Sequence, residues 1–440
     1  MKGKKIVVIG GSIAGCAAAV MLQRQGAEVV VLEKSSGRIG QGSGITLPEV
    51  IVNQCIEHDL FDIDIPRLNV GGRSFTRTEE DEPNGQKVFW VQSIRAMMFN
   101  WVDVYENLHK RIKSEYYHTN TEVCRIKHTT EGYYVETTDG HGYEADLIIA
   151  ADGVDSTVRA HLLPDSYPEY TGYIAWRGVL DESSLVEQAI FNKHVPYYVF
   201  PKGHILLYRI PAPDFQYTGK TLLNWVMYEE CNDVPLSKLL IDNRGKKHHR
   251  SLPAGTLTAT HLEHLQKLAK WLPTPIEQII TKTAQPFIQA VFDFQIPTYA
   301  SERIIFVGDA AATLRPHSAS GVFKALANGL ELARLVESNP MIGLTEFVSL
   351  WKEKQQALLT EESHKAKCMG EALVTHTPDW QLMGQESMEQ WWLTVMQGKN
   401  WYATSTPANS PLVDNTIFLQ ERDKKNTPVV PNLESTAYKL

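Results

Sequence analysis

The chain opens with the apolar run Ile6-Val7-Val8-Ile9, a glycine pair, and a stretch rich in Ala, Val, Met and Leu from Ala14 to Gln25. A second apolar run follows at Val29-Val30-Val31-Leu32. Unbroken apolar runs read as strands buried on both faces, and the stretch between them as a helix, so the pattern predicts a βαβ unit. Leu47 to His58 reads as a further helix. Ile94 to Ile112 reads as a long amphipathic helix with Ile94, Met97, Met98, Trp101 and Val102 on one face. Tyr133 to Thr138 followed by Asp139-Gly140 signals a hairpin. Leu147-Ile148-Ile149-Ala150 is again a fully apolar strand. From about residue 166 to 300 the texture is mostly β, with Tyr173-Ile174-Ala175-Trp176, Leu206-Leu207-Tyr208 and Phe287 to Phe294 as short runs. Arg303 to Val307 returns to the buried-strand style, and Ser320 to Ser338 and Leu344 to Met369 read as helices. Beyond about residue 371, Trp380, Trp391, Trp392 and Trp401 cluster ahead of a Pro/Asn/Ser/Thr-rich tail. The tryptophans suggest docking on the body or on a partner, and the tail reads as mobile.

Composition narrows the function classes. The 440 residues are 43% hydrophobic and 21% charged, enough apolar material for a sizeable core. The formal net charge is -8, whereas a protein that works by neutralising phosphates along nucleic acid is usually basic, so no nucleic-acid partner is expected. The short basic run Lys246-Lys247-His248-His249-Arg250 reads as a solvated loop. No apolar run reaches the ~20 residues needed to span a bilayer. The lysines at the N-terminus mimic a secretion signal, but Gly10-Gly11-Ser12 breaks the apolar stretch behind them. Five scattered cysteines, without a paired or zinc-type spacing, imply no disulfide framework and no metal, and fit a reducing cytoplasm.

Three segments carry chemistry. Gly10-Gly11-Ser12-Ile13-Ala14-Gly15 lies between a strand and a helix, where a dinucleotide's pyrophosphate meets a helix N-terminus. Ser12 replaces the middle glycine of the usual pattern and is still small. Glu33 ends the next strand about 20 residues on, where a carboxylate binds a ribose 2′-OH and repels a 2′-phosphate; this suits FAD or NAD, with Lys34 beside it. Alternatively, Glu33 is a surface residue after a strand. The second segment, Asp146 to Arg159, delivers Asp152, Gly153 and Arg159 from a buried strand into a helix start. The third, Gly308-Asp309-Ala310-Ala311 with Arg315-Pro316-His317 and Gly321, again follows a buried strand and puts a carboxylate beside a glycine turn. Each segment alone is compatible with an ordinary strand-turn-helix.

Together, in this order, they resemble the single-component FAD-dependent aromatic hydroxylases, the para-hydroxybenzoate hydroxylase-like flavoprotein monooxygenases. Gly42-Ser-Gly-Ile45, Tyr170-Thr-Gly-Tyr-Ile-Ala-Trp-Arg-Gly178, Asn224-Trp225 and Arg315-Pro-His317 are most similar to the 2,6-dihydroxypyridine 3-monooxygenase branch. The resemblance spans residues 6 to about 340. It implies an α/β fold in which a Rossmann-like FAD-binding region (1–75, 93–165 and 300–370) is interrupted by a mostly antiparallel β-rich substrate region (76–92 and 166–299), followed by a helical or extended C-terminal extension (371–440). It implies FAD as cofactor, NADPH or NADH as transient electron donor, and O₂ and a small aromatic molecule as substrates, and it leaves a homodimer open.

By the same resemblance, Gly10, Ser12, Ile13, Ala14, Gly15, Glu33 and Lys34 bind the ADP part of FAD. Asp152, Gly153 and Arg159 touch FAD and the nicotinamide cofactor, and Gly308 and Asp309 reach the ribitol. Gly44, Ile45, Pro316 and Gly321 lie by the flavin ring, and Arg95 stands near the pyrophosphate, although the pyridine branch does not reliably keep that arginine. Hydroxylation in this family runs through a flavin C4a-hydroperoxide, so dryness and positioning matter more than a catalytic triad. His317 is the candidate for a polar group that deprotonates a ring hydroxyl, against a loop histidine satisfied by backbone. Tyr208, Trp225 and Tyr228 are candidates for the pocket wall, against aromatics of the sheet core. Arg177 either holds an anionic substrate or pairs within the sheet. Two other activities share the fold: oxygenation of a larger polyketide- or antibiotic-like molecule, and a flavoprotein dehydrogenase without oxygen insertion.

Overall fold

A computed structural model of the chain describes residues 1–37, 44–82, 85–181 and 194–398. Trp401, the tail to Leu440 and Gly42 lie outside the described residues. Among the described residues the fold is α/β and built on three sheets. The first sheet has six strands in the order Ala300–Ser301, Ile304–Phe306, Leu147–Ala150, Lys5–Ile9, Glu28–Leu32 and Tyr117–His118. All neighbours are parallel except the edge hairpin Ala300–Ser301 with Ile304–Phe306. Burial on both faces explains why Ile6 to Ile9 are apolar without a break. Ile6 and Val8 pack under the helices Ile13–Arg24 and Ser320–Ser338, while Val7 and Ile9 pack on the other face. That second face is covered by a three-stranded sheet of Val123–His128, Tyr133–Thr137 and Gly142–Ala145.

A ten-stranded mixed sheet forms the other half. Its path is Ser251–Leu252, Phe287–Gln295, Glu169–Asp181, Thr221–Glu230, Gly203–Pro211, His194–Phe200, Leu68–Thr78, Gln86–Asn100 and Gly44–Pro48, with Ala312–Thr313 added beside Phe287–Gln295. Every pairing is antiparallel except His194–Phe200 with Leu68–Thr78. One face carries helices Ala259–Ala269 and Thr274–Lys282 over a core that includes Trp176, Leu207 and Trp225. The opposite face packs on the end of the long helix Leu344–Gly370 and on the C-terminal helix Gln385–Val395, through Met369, Leu373, Trp380 and Trp392. The C-terminal tryptophans Trp380 and Trp392 therefore dock on the body of the protein.

The long helix expected over 94–112 does not form as one element. The strand Gln86–Asn100 continues through Ile94, and the helix is Trp101–His109. Ile94, Ala96 and Met98 are buried while Arg95 is exposed, the alternation of a strand. A spacing of four satisfies both periods, so Ile94 and Met98 fit either element. Asn100 marks the switch, because its side chain caps the helix by accepting the Val102 amide at 3.2 Å. Leu47 likewise belongs to a strand, and the helix after it starts at Glu49, directly behind Pro48.

Candidate functional site

The first glycine turn joins Lys5–Ile9 to the helix Ile13–Arg24. Gly10 has φ +100°, and a Cβ there would stand 2.4 Å from the Ala151 carbonyl oxygen, so only glycine lets the turn lie against the strand end at Ala151. Ser12 is exposed at the helix N-cap and makes no side-chain cap, and the first turn holds no acidic residue. The first-turn amides of this twelve-residue helix therefore lack a side-chain cap, at the end of the helix that favours an anion. Ile13, Ala14 and Gly15 are buried behind them. Glu33 fixes the turn: its carboxylate accepts the Gly11 amide at 2.7 Å and the Ser35 amide at 2.8 Å. Lys34 beside it is exposed.

The second segment leaves the sheet after Leu147–Ala150. Asp152 accepts the Val158 amide through Oδ2 at 3.1 Å. Its Oδ1 is buried without a hydrogen-bond partner among the described residues, and burial raises its pKa. Gly153 has φ +77° and open space around it. Arg159 turns inward, donating to the carbonyls of Ala310 and Val154 with its guanidinium 4.4 Å from the Phe294 ring centroid. It thereby ties the second segment to the third.

Gly308 has φ +57°, and a Cβ on it would meet Ala14 Cβ at 2.6 Å. This close approach sets the third segment against the first glycine turn. Asp309 follows, half-exposed, with Oδ1 2.9 Å from the Nζ of the fully buried Lys324. The Gly308 amide donates to Asn328 at 2.9 Å. Arg315 is clamped by both oxygens of Asp293 at 2.6 to 3.0 Å, which holds the turn that carries Pro316 and His317. His317 is buried, its Nε2 3.0 Å from the Tyr173 hydroxyl and its ring centroid 4.3 Å from that of Tyr228. Burial, with the neighbouring His204 and the charges of Arg315 and Arg73, pushes its pKa well below the ordinary histidine value, so the ring is neutral near pH 7.

The third segment, with Val154 and Asp155 of the second, borders a cavity of about 620 Å³, whereas Gly10 to Gly15, Glu33, Lys34, Asp152, Gly153, Arg159 and Gly308 are not in its lining. Asp309, Pro316, His317 and Gly321 come from the third segment, and Gly44 and Ile45 from the strand Gly44–Pro48. Tyr208 and Tyr228 form wall on the sheet side. Tyr208 also pins the approaching strand, donating to the Gly44 carbonyl at 3.0 Å, while Asn224 accepts the Gly44 amide at 3.1 Å. A Cβ on Gly44 would lie 2.3 Å from the Tyr208 ring.

Trp225 is not in this wall. On the strand Thr221–Glu230, Val226 and Tyr228 face the cavity, so the odd-numbered Trp225 faces the opposite core, where its Nε1 donates to Thr283 at 2.9 Å. Arg95 is not brought to the cavity either: it is exposed on the strand face opposite Ile94 and Met98, which do line it. Arg177 lines the cavity and is held by the neutral Gln289 at 2.9 Å.

Sequence reading gave no site role to Arg73, Tyr173, Asn224 or Lys324. A signal existed for two of them. Lys324 is a charge on the apolar stripe of the helix Ser320–Ser338, and Arg73 shares the inward set of its strand with Phe75. Tyr173 and Asn224 stand in stretches that carry the family resemblance, but their roles follow only from their neighbours in the fold.

The donor set suits a flavin dinucleotide: uncapped helix amides at Ser12, an orphaned buried oxygen on Asp152, and a half-exposed Asp309 at the edge of an aromatic cavity. Among the described residues, no cluster could hold a metal ion, and no helix is long and apolar enough to cross a membrane.

A family model described as NAD(P)-binding Rossmann-like domain matches residues 8–58, and one described as FAD binding domain-like matches residues 170–293. The 2,6-dihydroxypyridine 3-monooxygenase of Paenarthrobacter nicotinovorans is 30% identical over 339 residues, 76% of this chain and 83% of that protein. The 6-hydroxynicotinate 3-monooxygenase of Bordetella bronchiseptica is 24% identical and covers 86% of this chain and 93% of its own. The solved structure of 2,6-dihydroxypyridine-3-hydroxylase from Arthrobacter nicotinovorans superposes with a TM-score of 0.78 at 26% identity, over 87% of this chain and 97% of that one. With its glycine turn, its Asp-Gly and Gly-Asp segments and these relatives in hand, the chain is a member of the FAD-dependent aromatic hydroxylases, a family of flavoprotein monooxygenases.

Proposed function

We propose that this enzyme hydroxylates a small aromatic or heteroaromatic ring of the hydroxypyridine or phenol type, with NADH or NADPH as electron donor and O₂ as oxygen source. The observation that carries the reading is the convergence of Asp309, His317, Gly44 and Ile45 with Tyr208 and Tyr228 on one cavity. In this reading the turn from Gly10 to Gly15, with Glu33 and Lys34, holds the ADP end of FAD. Asp152, Gly153 and Arg159 flank it. Gly308, Asp309, Pro316 and Gly321, with Gly44 and Ile45, hold the ribitol and ring end. When bound, FAD supplies the hydride acceptor and the oxygen-activating ring.

The chain supplies the rest. Ile45, Ile94, Met98, Val226 and Val291 give the cavity apolar walls that keep water from the reacting centre. His317, held neutral by burial, can hydrogen-bond and orient a ring hydroxyl, while its lowered pKa disfavours full transfer of the proton to the imidazole. Tyr173, 3.0 Å from His317 Nε2, fixes the imidazole ring, and Tyr228 packs beside it.

The test uses purified FAD-loaded protein with NADH or NADPH and a panel of hydroxypyridines and phenols. At least one ring is expected to stimulate NAD(P)H oxidation, with one oxygen atom from labelled O₂ appearing in the product. NAD(P)H oxidation without label in any ring would overturn the hydroxylase reading and favour a dehydrogenase.

A further inference from the structure

The basic run Lys246-Lys247-His248-His249-Arg250 has no part in the site described so far. It is one arm of a hairpin turn over Asn243-Arg244-Gly245, in which Ile241 pairs antiparallel with Lys247. Asp242 is the only acidic residue between Ile241 and Leu252, and it holds the turn from inside. Its buried carboxylate accepts the amides of Arg244 and Lys246, both at 2.9 Å, and lies 2.8 Å from His248 Nε2. Gly245, at φ +78°, closes the turn by donating its amide to the Asp242 carbonyl at 2.9 Å. The hairpin's single carboxylate is thus turned inward. Arg244, Lys246 and Lys247 are exposed and pair with no carboxylate among the described residues. In a chain of net charge -8 this is a local reversal of sign.

The foot of the hairpin borders the cavity. Arg250 and Ser251 line it beside Asp155 of the second segment and Phe292. Asp155 takes Nε and Nη2 of Arg250, each at 2.7 Å, and the guanidinium stands 4.6 Å from the Phe292 ring centroid. Nη1 is buried with no hydrogen-bond partner among the described residues. Lys247 precedes Arg250 by three residues, so at most about 10 Å of chain separates the exposed cations from the cavity border. A nicotinamide dinucleotide has to bring its ring to the cavity while its phosphates stay outside. The amides of the first glycine turn are taken up by FAD in the proposed reading, so the second dinucleotide needs anion donors of its own. Lysines supply point charges and an arginine supplies a planar fork that matches a phosphate.

We propose that this hairpin, through Arg244, Lys246 and Lys247, binds the phosphates of the nicotinamide dinucleotide, with Arg250 and Asp155 at the point where its ring passes into the cavity. The assignment rests on the reading of a flavoenzyme reduced by NADH or NADPH and adds the docking surface of that electron donor.

The test mixes FAD-loaded protein with NADH or NADPH without oxygen and follows the loss of flavin absorption. Its dependence on dinucleotide concentration separates Kd from the limiting rate. Arg244→Gln, Lys246→Gln and Lys247→Gln combined should raise Kd about tenfold and change the limiting rate by no more than about twofold. Calorimetric titration with ADP-ribose, which has the phosphates without the nicotinamide ring, should show a similar loss. Salt at about 200 mM should weaken binding to the unmodified protein several-fold and to the neutral variant much less. The charge-keeping set Arg244→Lys, Lys246→Arg and Lys247→Arg should bind within about threefold of the unmodified protein, and FAD content per chain reports folding throughout. A loss confined to NADPH assigns the 2′-phosphate to the hairpin, and an equal loss for both assigns the shared pyrophosphate. An unchanged Kd for both dinucleotides, or a charge-keeping set that loses as much as the neutral one, would overturn the assignment. If reduction depends on the hairpin but no labelled oxygen enters any ring, the docking assignment stands and the hydroxylase reading falls. If neither dinucleotide reduces the flavin, both fall.

Discussion

The crevice beside the six-stranded sheet and the cavity beside the ten-stranded sheet are specified in different ways. The crevice is made of backbone. Gly10 and Gly308 adopt positive φ and permit contacts a Cβ would block, and helix amides stand open at Ser12. Each of those features is fixed by a few consecutive residues. The cavity is made of side chains delivered one at a time by alternation, from strands scattered between residues 44 and 295 and from segments beyond residue 308. In the cavity a single-residue displacement exchanges wall for outer core, as the neighbours Val226 and Trp225 demonstrate.

The sharpest way to break the comparison is to put a Cβ into the crevice. Gly10→Ala would force a positive φ on an L-residue and a 2.4 Å contact with a backbone oxygen. We expect a loss of at least about 3 kcal/mol in urea unfolding and failure to retain FAD. A variant that keeps both would show that the turn tolerates side chains.

On the cavity side, His204 is fully buried, and its Nδ1 lies 3.1 Å from the Leu373 carbonyl. Burial lowers its pKa to about 4 in the folded protein, while the unfolded chain protonates near about 6.5. The unfolded state therefore takes up the proton first as pH falls. His204 adds stability at neutral pH that is lost between those two values, about 3 kcal/mol in all. Denaturant midpoints of His204→Phe should fall less steeply between pH 6.5 and 4 than those of the unmodified protein; equal slopes would mean that the histidine is not held neutral.

The smallest effect tests the alternation itself. Trp225→Phe removes the 2.9 Å bond to Thr283 on the outer core and should cost about 1 kcal/mol of stability. Ring-substrate affinity should stay unchanged, and a raised KM would put Trp225 back in the wall.

This contrast also explains what could be read from the residues alone. The strand-glycine-helix segments, the helix Ser320–Ser338 and the hairpin at Asp139-Gly140 were legible because each is decided locally. Ile94 to Asn100 was not, since Ile94 and Met98 satisfy the helical and the extended period together, and only Asn100 as a cap reveals where one gives way to the other. Tyr208 and Tyr228 were found as aromatic strand residues, and Trp225 was grouped with them because the facing of a strand depends on what covers each side. Arg73 left only the signal of sharing a strand face with Phe75; its surroundings come from residues 75, 90, 197 and 392, which only the finished fold assembles.

The six-stranded sheet has its own consequence during biosynthesis. Leu147–Ala150 is apolar on both faces, and its outer neighbour Ile304–Phe306 lies about 150 residues further along the chain. At about 5 to 20 residues per second, a ribosome leaves that sticky edge bare for about 8 to 30 s before the missing strand emerges. During that interval the nascent chain has to be shielded from its neighbours, and holding factors that bind exposed β edges have a defined window in which to act.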